Sequence, residues 1–370
     1  RNTLLNKDLN NEDQYSFRGQ LRLDLDNSEW ILSADYMKDD RESQGRFPVV
    51  SGNFNYVGVA AALGANKPQT SASPIHGGSE REAMGTSLTG TINFDSGTFT
   101  TISAFRNVKT DWSMPSVGAP LGGGYDLANG VFGMDVNDVI NEDIDSYSQE
   151  FRWTSELDGP VSFVFGAYFY KEKTDRVEQF RIERNTTATG QVIVGNEYTR
   201  TQNDSTSYAL YGQAVWDFAE KWSLVLGGRF SHDNKDYKAT AVNCGMPAAD
   251  RPVEFANFPN CQGVGGSLRI IAETFMVNPE KSWNDFSPMG SLQYRPNDNA
   301  MIFATISTGY KSGGFAGSQG VKAAASQPVN KESVINYEIG FKSDLADGAL
   351  RLNATAFYMD YTDLQIVRFG

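Results

Sequence analysis

Residues 15–26 read Tyr15-Ser16-Phe17-Arg18-Gly19-Gln20-Leu21-Arg22-Leu23-Asp24-Leu25-Asp26. Successive side chains of an extended chain point to opposite faces. Phe17, Gly19, Leu21, Leu23 and Leu25 therefore share one face, and Arg18, Gln20, Arg22 and Asp24 the other. That is a period-2 pattern with a sharp polarity difference, the mark of a strand with one apolar side. Asp26-Asn27-Ser28 follows as a turn, and Trp30 to Met37 reads as the returning strand.

The same unit recurs. Met84 to Asp95 leads through Asp95-Ser96-Gly97 to Phe99–Lys109, and Ile144 to Leu157 through Asp158-Gly159-Pro160 to Val161–Lys171. Ser207 to Asp217 leads through Phe218-Ala219-Glu220 to Trp222–Asn234, and Asp285 to Arg295 through Pro296-Asn297-Asp298-Asn299 to Ala300–Lys311. Val334 to Leu345 leads through Ala346-Asp347-Gly348 to Leu350–Tyr361. Most of these joints use the Asp, Asn and Gly chemistry of tight hairpins. Twelve strands result, and a thirteenth is expected near Gln365.

Between the hairpins run long polar segments: Asp39 to Arg81, Thr110 to Asp143, Thr174 to Ser205, Lys235 to Lys281 and Ser312 to Lys331. Compact soluble domains seldom carry several loops of roughly 20–50 residues, whereas outer-membrane barrels alternate short periplasmic turns with long extracellular loops. The strands are also longer than the roughly 5–6 residues usual in soluble sheets. The fold class is therefore all-β, a transmembrane antiparallel barrel wall. Aromatics gather near strand ends, as interfacial girdles do: Trp30, Phe94, Phe99, Trp216, Phe218 and Trp222 by the short turns, with Tyr36, Phe105, Tyr170 and Tyr237 toward the loops. Two strands are less clean. Val161 to Tyr170 is apolar on both faces, and Ile302, Ala304 and Ile306 oppose Phe303 and Thr305.

Composition agrees. No stretch of eighteen apolar residues exists, which excludes a helical membrane span but not a barrel. The net charge of -13 argues against nucleic acid as a partner, since a phosphate backbone calls for a basic face. Cys244 and Cys261 flank a Gly/Pro/Asn-rich stretch and suit one disulfide-stapled loop in an oxidising compartment, with two unrelated thiols as the alternative.

No catalytic, cofactor or metal motif holds. Gly122-Gly123-Gly124 lacks the Lys-Ser/Thr pair of a phosphate loop. His76 and His232, the only histidines, read as surface residues. Asp135, Asp138, Glu142, Asp143 and Asp145 form an acidic run whose spacing does not match a calcium loop. It reads as a solvated loop, or else as a divalent-cation site aiding loop or lipopolysaccharide packing. Arg18, Arg22, Asp24, Glu150, Arg152, Arg229, Glu338 and Lys342 fall on polar strand faces and suit a solvated or plugged lumen.

Several segments resemble the barrel of TonB-dependent outer-membrane receptors, notably a siderophore-receptor-like group of proteobacteria. They are Lys7 to Leu21, the "FSP" strand Phe286 to Tyr294, the "GYKSGGF" segment through Tyr310-Lys311-Ser312-Gly313-Gly314-Phe315, Glu332 to Phe341 with Tyr337-Glu338-Ile339-Gly340, and Asn353 to Gln365. Their order and spacing cover most of the chain. The resemblance implies one barrel domain over residues 1–370, cut at both ends, with 12–13 strands of an expected total of about 22 and with the plug and TonB box lying outside this chain. It implies an importer of a scarce solute, by default a ferric siderophore, driven by the TonB-ExbB-ExbD complex of the inner membrane and embedded in outer-membrane lipid and lipopolysaccharide. Capture would fall to the five loops, with Trp112, Tyr125 and Tyr198 as candidate contacts. A passive porin or a structural or adhesive extracellular β-protein are the rival readings.

Overall fold

A computed structural model describes residues 1–42, 46, 56–121, 124–245, 261, 271–317, 320–345 and 348–366. In chain order the elements are β1 (Glu12–Leu25), β2 (Ser28–Glu42), α1 (Tyr56–Ala62), β3 (Gly78–Phe94), β4 (Gly97–Pro115), β5 (Val131–Ser155), β6 (Val161–Thr186), β7 (Gly190–Ala219) and β8 (Trp222–Asn243). Then come β9 (Phe275–Val277), β10 (Glu280–Asn297), β11 (Ala300–Lys311), β12 (Gly314–Phe315), α2 (Lys322–Ser326), β13 (Pro328–Val329), β14 (Glu332–Leu345) and β15 (Leu350–Thr362).

The long strands pair in simple sequence order, β1-β2-β3-β4-β5-β6-β7-β8-β10-β11-β14-β15, all antiparallel. All twelve expected strands are present. β1 and β15 are the two edges of this sheet. Leu364 to Ile366 do not form the expected thirteenth strand, and 367–370 lie outside the described residues, as do Ala346 and Asp347 of the last predicted turn.

The register carries one face across the whole sheet. Leu21 pairs with Leu32, Leu32 with Leu88, Phe151 with Ala167, Leu210 with Phe230, Leu226 with Gly290, and Ile306 with Tyr337. These apolar residues are not a core. Leu210 is 65% exposed, Phe286 65% and Ile339 61%, a face that water would penalise and hydrocarbon accepts. The other face is polar, and the sheet curves toward it. Side chains two strands apart meet there: Arg106 of β4 donates to Asp35 of β2 at 3.0 Å, and Arg229 of β8 lies over Tyr168 of β6. Two glycines make room for such contacts. A Cβ at Gly85 would strike Arg106, and one at Gly166 would strike Tyr211, which donates across β6 to Glu150.

The long connections are shorter than the sequence indicates, because the strands run on beyond the membrane. β6 and β7 have 26 and 30 residues, and Thr174 to Ser205 is a continuous hairpin rather than a loop. A 26-residue strand is about 85 Å long, against an apolar band about 25 Å tall. Both faces of the projecting part are wet or covered by other loops, so its sequence loses the alternation that marks a lipid-facing strand.

The girdle assignment needs one correction. Trp30, Phe94, Phe99, Trp216 and Trp222 share the apolar face, as do Tyr36 and Phe105. Tyr170 and Tyr237 lie on the opposite face by strand parity. Tyr170 donates to Glu172, and Tyr237 is 4% exposed beneath a loop. The upper band on the apolar face is completed instead by Tyr147, Phe169 and Tyr208, whose rings follow one another at 6.0 and 5.2 Å.

A charge on the apolar face at mid-height has no escape to water. Leu210→Arg is expected to destabilise the sheet by about 2–4 kcal/mol, and Gln213→Arg, on the polar face of the same strand, by under about 1 kcal/mol. Urea titration of the protein folded into lipid vesicles measures both.

Candidate functional site

The polar face ends above the membrane in a cavity of about 780 Å³, built by the upper ends of β1 to β5. Glu12, Asp39, Arg41, Arg81, Trp112 and Glu142 line it. Each sits at the parity that points away from lipid, so one register places all six. Arg41 is spoken for: its Nε donates to Asp39 at 2.7 Å and its Nη2 reaches Glu12 at 3.0 Å. Arg176 of β6 holds Glu142 and Glu178, each at 3.4 Å. Arg81 is exposed and has no carboxylate within ion-pair distance among the described residues. Arg81 pairs with Thr110 and Ser79 with Trp112, so Arg81 and the Trp112 ring are diagonal neighbours. The arrangement offers one uncommitted guanidinium beside one indole, suited to an anionic or aromatic group on a solute.

Deeper in the sheet the same face forms a second hollow of about 440 Å³, lined by Glu150, Arg152, Val164, Tyr168, Tyr211 and Arg229. The Arg229 guanidinium lies 5.6 Å from the Tyr168 ring centre and 5.9 Å from that of Tyr211. Val164 and Tyr168 here account for the apolar character of both faces of β6. Of the other polar-face residues named from sequence, Arg22 pairs with Asp24 and Glu29, Glu338 accepts from Asn336, and Lys342 lies over Phe303.

Residues 312–317 fold back against the same face. Phe315 stacks on Tyr237 at 5.1 Å and meets Trp283 edge-on. The Tyr237 hydroxyl reaches the carbonyls of Ala316 at 2.9 Å and Gly317 at 3.0 Å, and Lys235 donates to that of Gly313 at 2.7 Å. A Cβ at Gly313 would collide with the Trp283 ring, so this approach requires glycine.

Of the three aromatics singled out as contacts, Trp112 lines the upper cavity. Tyr125 is half-buried in the segment between β4 and β5. Tyr198 is 7% exposed on the opposite face of β7, packed with Val242 and the Cys244–Cys261 pair. Those cysteines are joined by a disulfide with Cα atoms 4.9 Å apart. His232 pairs with Asn284 at 2.7 Å, and His76 bonds Glu42.

The acidic run is not a solvated loop. It lies within β5, and strand parity splits it between faces. Asp135 is fully buried and ties three segments together. It accepts from Ser73 Oγ at 2.7 Å, from the backbone N–H of Val117 and Gly118 at 3.3 Å each, and from Val136 N–H at 2.7 Å. Sequence reading missed this knot, since Ser73 and Asp135 are distant in the chain and no local pattern links them. Burial pushes the Asp135 carboxyl up to about 7, against the four donors, which lower it. Asp138 is pushed up to about 6, first by burial and then by Glu178, with Arg176 and Arg46 opposing.

The family model described as "TonB dependent receptor-like, beta-barrel" matches residues 2–370. The pesticin receptor of Yersinia enterocolitica is 25% identical over 160 residues, covering 43% of this chain and 19% of that protein. Among solved structures, the ferric yersiniabactin uptake receptor of Yersinia pestis superposes with a TM-score of 0.68 at 17% identity, over 96% of this chain and 46% of that one. The siderophore receptor PiuA of Acinetobacter baumannii gives 0.61 at 14%, over 94% and 49%. The chain thus spans about half the length of these solved relatives and a fifth of the curated one.

The Asp135 knot has a pH signature. Its folded-state pKa exceeds the ordinary 3.8, so its contribution is complete below about pH 4 and is lost as pH rises through about 7. Hydrogen-exchange protection at residues 70–75 and 116–120, taken relative to the base-catalysed intrinsic rate, should fall over that interval, and Asp135→Asn should flatten the dependence. Asp135→Ala leaves all four donors unmet and should loosen both segments by about 1–3 kcal/mol at any pH.

Proposed function

The chain belongs to the family of TonB-dependent receptor-like β-barrels, and from that membership we propose that it is the wall and outer mouth of an active importer of a ferric siderophore. The match over residues 2–370 carries this reading. The names of its relatives point the same way: a pesticin receptor, a ferric yersiniabactin uptake receptor and a siderophore receptor. The chain lies in the bacterial outer membrane, its apolar face against lipid. The task is transport, not catalysis.

In this reading the cavity beside Trp112 and Arg81 takes part in first capture. A ferric siderophore presents anionic oxygen donors around its metal and in many cases an aromatic ring. The guanidinium attracts the first and the indole stacks on the second. Tyr125 lies near the same end of the barrel. Tyr198 and the disulfide brace the β7–β8 side. Energy for release into the periplasm would come from TonB-ExbB-ExbD acting on a plug in the lumen, where the Arg229–Tyr168–Tyr211 hollow offers a polar wall for it.

The test is uptake by iron-starved cells lacking their own receptors and expressing the full-length protein. Radioactive iron should enter as a ferric siderophore complex and stop when the proton-motive force is collapsed. Trp112→Ala and Arg81→Ala should each weaken binding about tenfold, or ~1.4 kcal/mol. Entry that continues without the proton-motive force would contradict active import and favour a passive pore.

A further inference from the structure

One row of the register crosses the lumen face at mid-depth and carries two arginines. Arg152 of β5 is opposite Gly166 of β6, Gly166 opposite Tyr211 of β7, and Tyr211 opposite Arg229 of β8. The row lies between the lower girdle at Trp222 and the upper one at Tyr208, which is opposite His232 on β8. The alternate residues Phe151, Leu210 and Phe230 take the lipid face, so the row belongs to the lumen.

Several other cations of this face are neutralised in place. Arg106 is held by both oxygens of Asp35, Arg22 by Asp24 and Glu29, and Arg351 by Asp344. Arg152 and Arg229 are not: neither has a carboxylate within ion-pair distance among the described residues. The one carboxylate lining their hollow, Glu150, accepts instead from the Tyr211 hydroxyl, which reaches it over Gly166. Arg229 is fixed by other means. Its Nε donates to Ser231 Oγ at 3.1 Å, and its guanidinium lies 5.6 and 5.9 Å from the Tyr168 and Tyr211 ring centres. A ring attracts a guanidinium through its charge and leaves its other N–H donors unspent.

We propose that Arg152 and Arg229 form a transit subsite for an anionic metal complex, holding it briefly on the lumen wall between the outer mouth and the periplasm. The proposal rests on the reading that such a complex crosses this lumen. The chemistry suits passage better than permanent docking. A site on a path must attract its ion and also let it go. Two guanidiniums on separate strands, one of them held by rings and a hydroxyl, offer charge and donors without the bidentate carboxylate pairing seen at Arg106. Tyr211 is the positioning residue: with its hydroxyl on Glu150, it keeps the opposing charge off both arginines. Arg81 at the mouth is likewise uncommitted, so this face carries free guanidiniums at two heights.

The experiment is single-channel block. The full-length protein is placed in a planar bilayer, and urea on the periplasmic side opens its lumen. The probes are hexacyanoferrate(III) and hexaamminecobalt(III), complexes of similar size and opposite charge. The proposal expects the cyanide trianion, and not the ammine cation, to interrupt the current in short events. Arg152→Gln/Arg229→Gln should weaken that block about tenfold, and Tyr211→Phe, which frees Glu150, should weaken it too. Arg18→Gln/Lys342→Gln removes the same charge elsewhere on the polar face and should keep the block. Equal block in wild type and the Arg152/Arg229 variant would leave no site, and equal loss in both double variants would leave only a diffuse field; either overturns the subsite. So does a current that rises in the Arg152/Arg229 variant before urea is added, since those side chains would then be holding the lumen shut. The assay uses neither TonB-ExbB-ExbD nor a proton gradient, so its failure is distinct from a failure of iron uptake, which is measured separately in cells.

Discussion

The backbone ladder of the sheet is the constraint on which everything else here depends. Inside hydrocarbon each N–H and C=O must find a partner within the protein, and an antiparallel sheet does this strand by strand. Once the ladder is set, the face of each side chain is set with it, since a one-residue slip would exchange the lipid and lumen faces. From Leu21 to Tyr358 one parity is kept through twelve strands, with register shifts confined to turns and strand tips. Lipid belt, lumenal charges and upper cavity are all consequences of that parity.

The two faces divide the work. On the outside, large apolar residues such as Phe17, Phe286 and Phe357 are among the most exposed of the described residues. On the inside, polar groups reach across intervening strands where glycine makes room, as Arg106 does over Gly85 and Tyr211 over Gly166. Above the membrane a different logic holds. There the strands continue as a projecting wall, and small clusters such as Tyr237 with Phe275 and Phe315, or Tyr198 with the disulfide, hold the loops to it.

The membrane-level fold was legible because lipid imposes alternation on every strand it touches. Leu350, Leu352, Ala354 and Ala356 announce themselves in this way. The projections were not legible, because Thr199-Arg200-Thr201-Gln202 meets no hydrocarbon and carries no period. Tyr170 was misplaced by trusting aromaticity over parity, since Phe169 beside it takes the lipid face. Of the mouth, Trp112 was legible as an aromatic in a polar stretch. Its neighbour Arg81 became visible only when the β3–β4 register was known, and the Asp135 knot only when three distant segments met.

The most direct measurement is a nitroxide scan along β7 from Ser207 to Val215 in the protein folded into vesicles. The account predicts alternation: labels at 208, 210, 212 and 214 relax with dissolved oxygen, as lipid-exposed sites do, and labels at 209, 211 and 213 do not. A flat profile, or one with the two parities exchanged, would contradict the two-faced membrane wall and everything built on it.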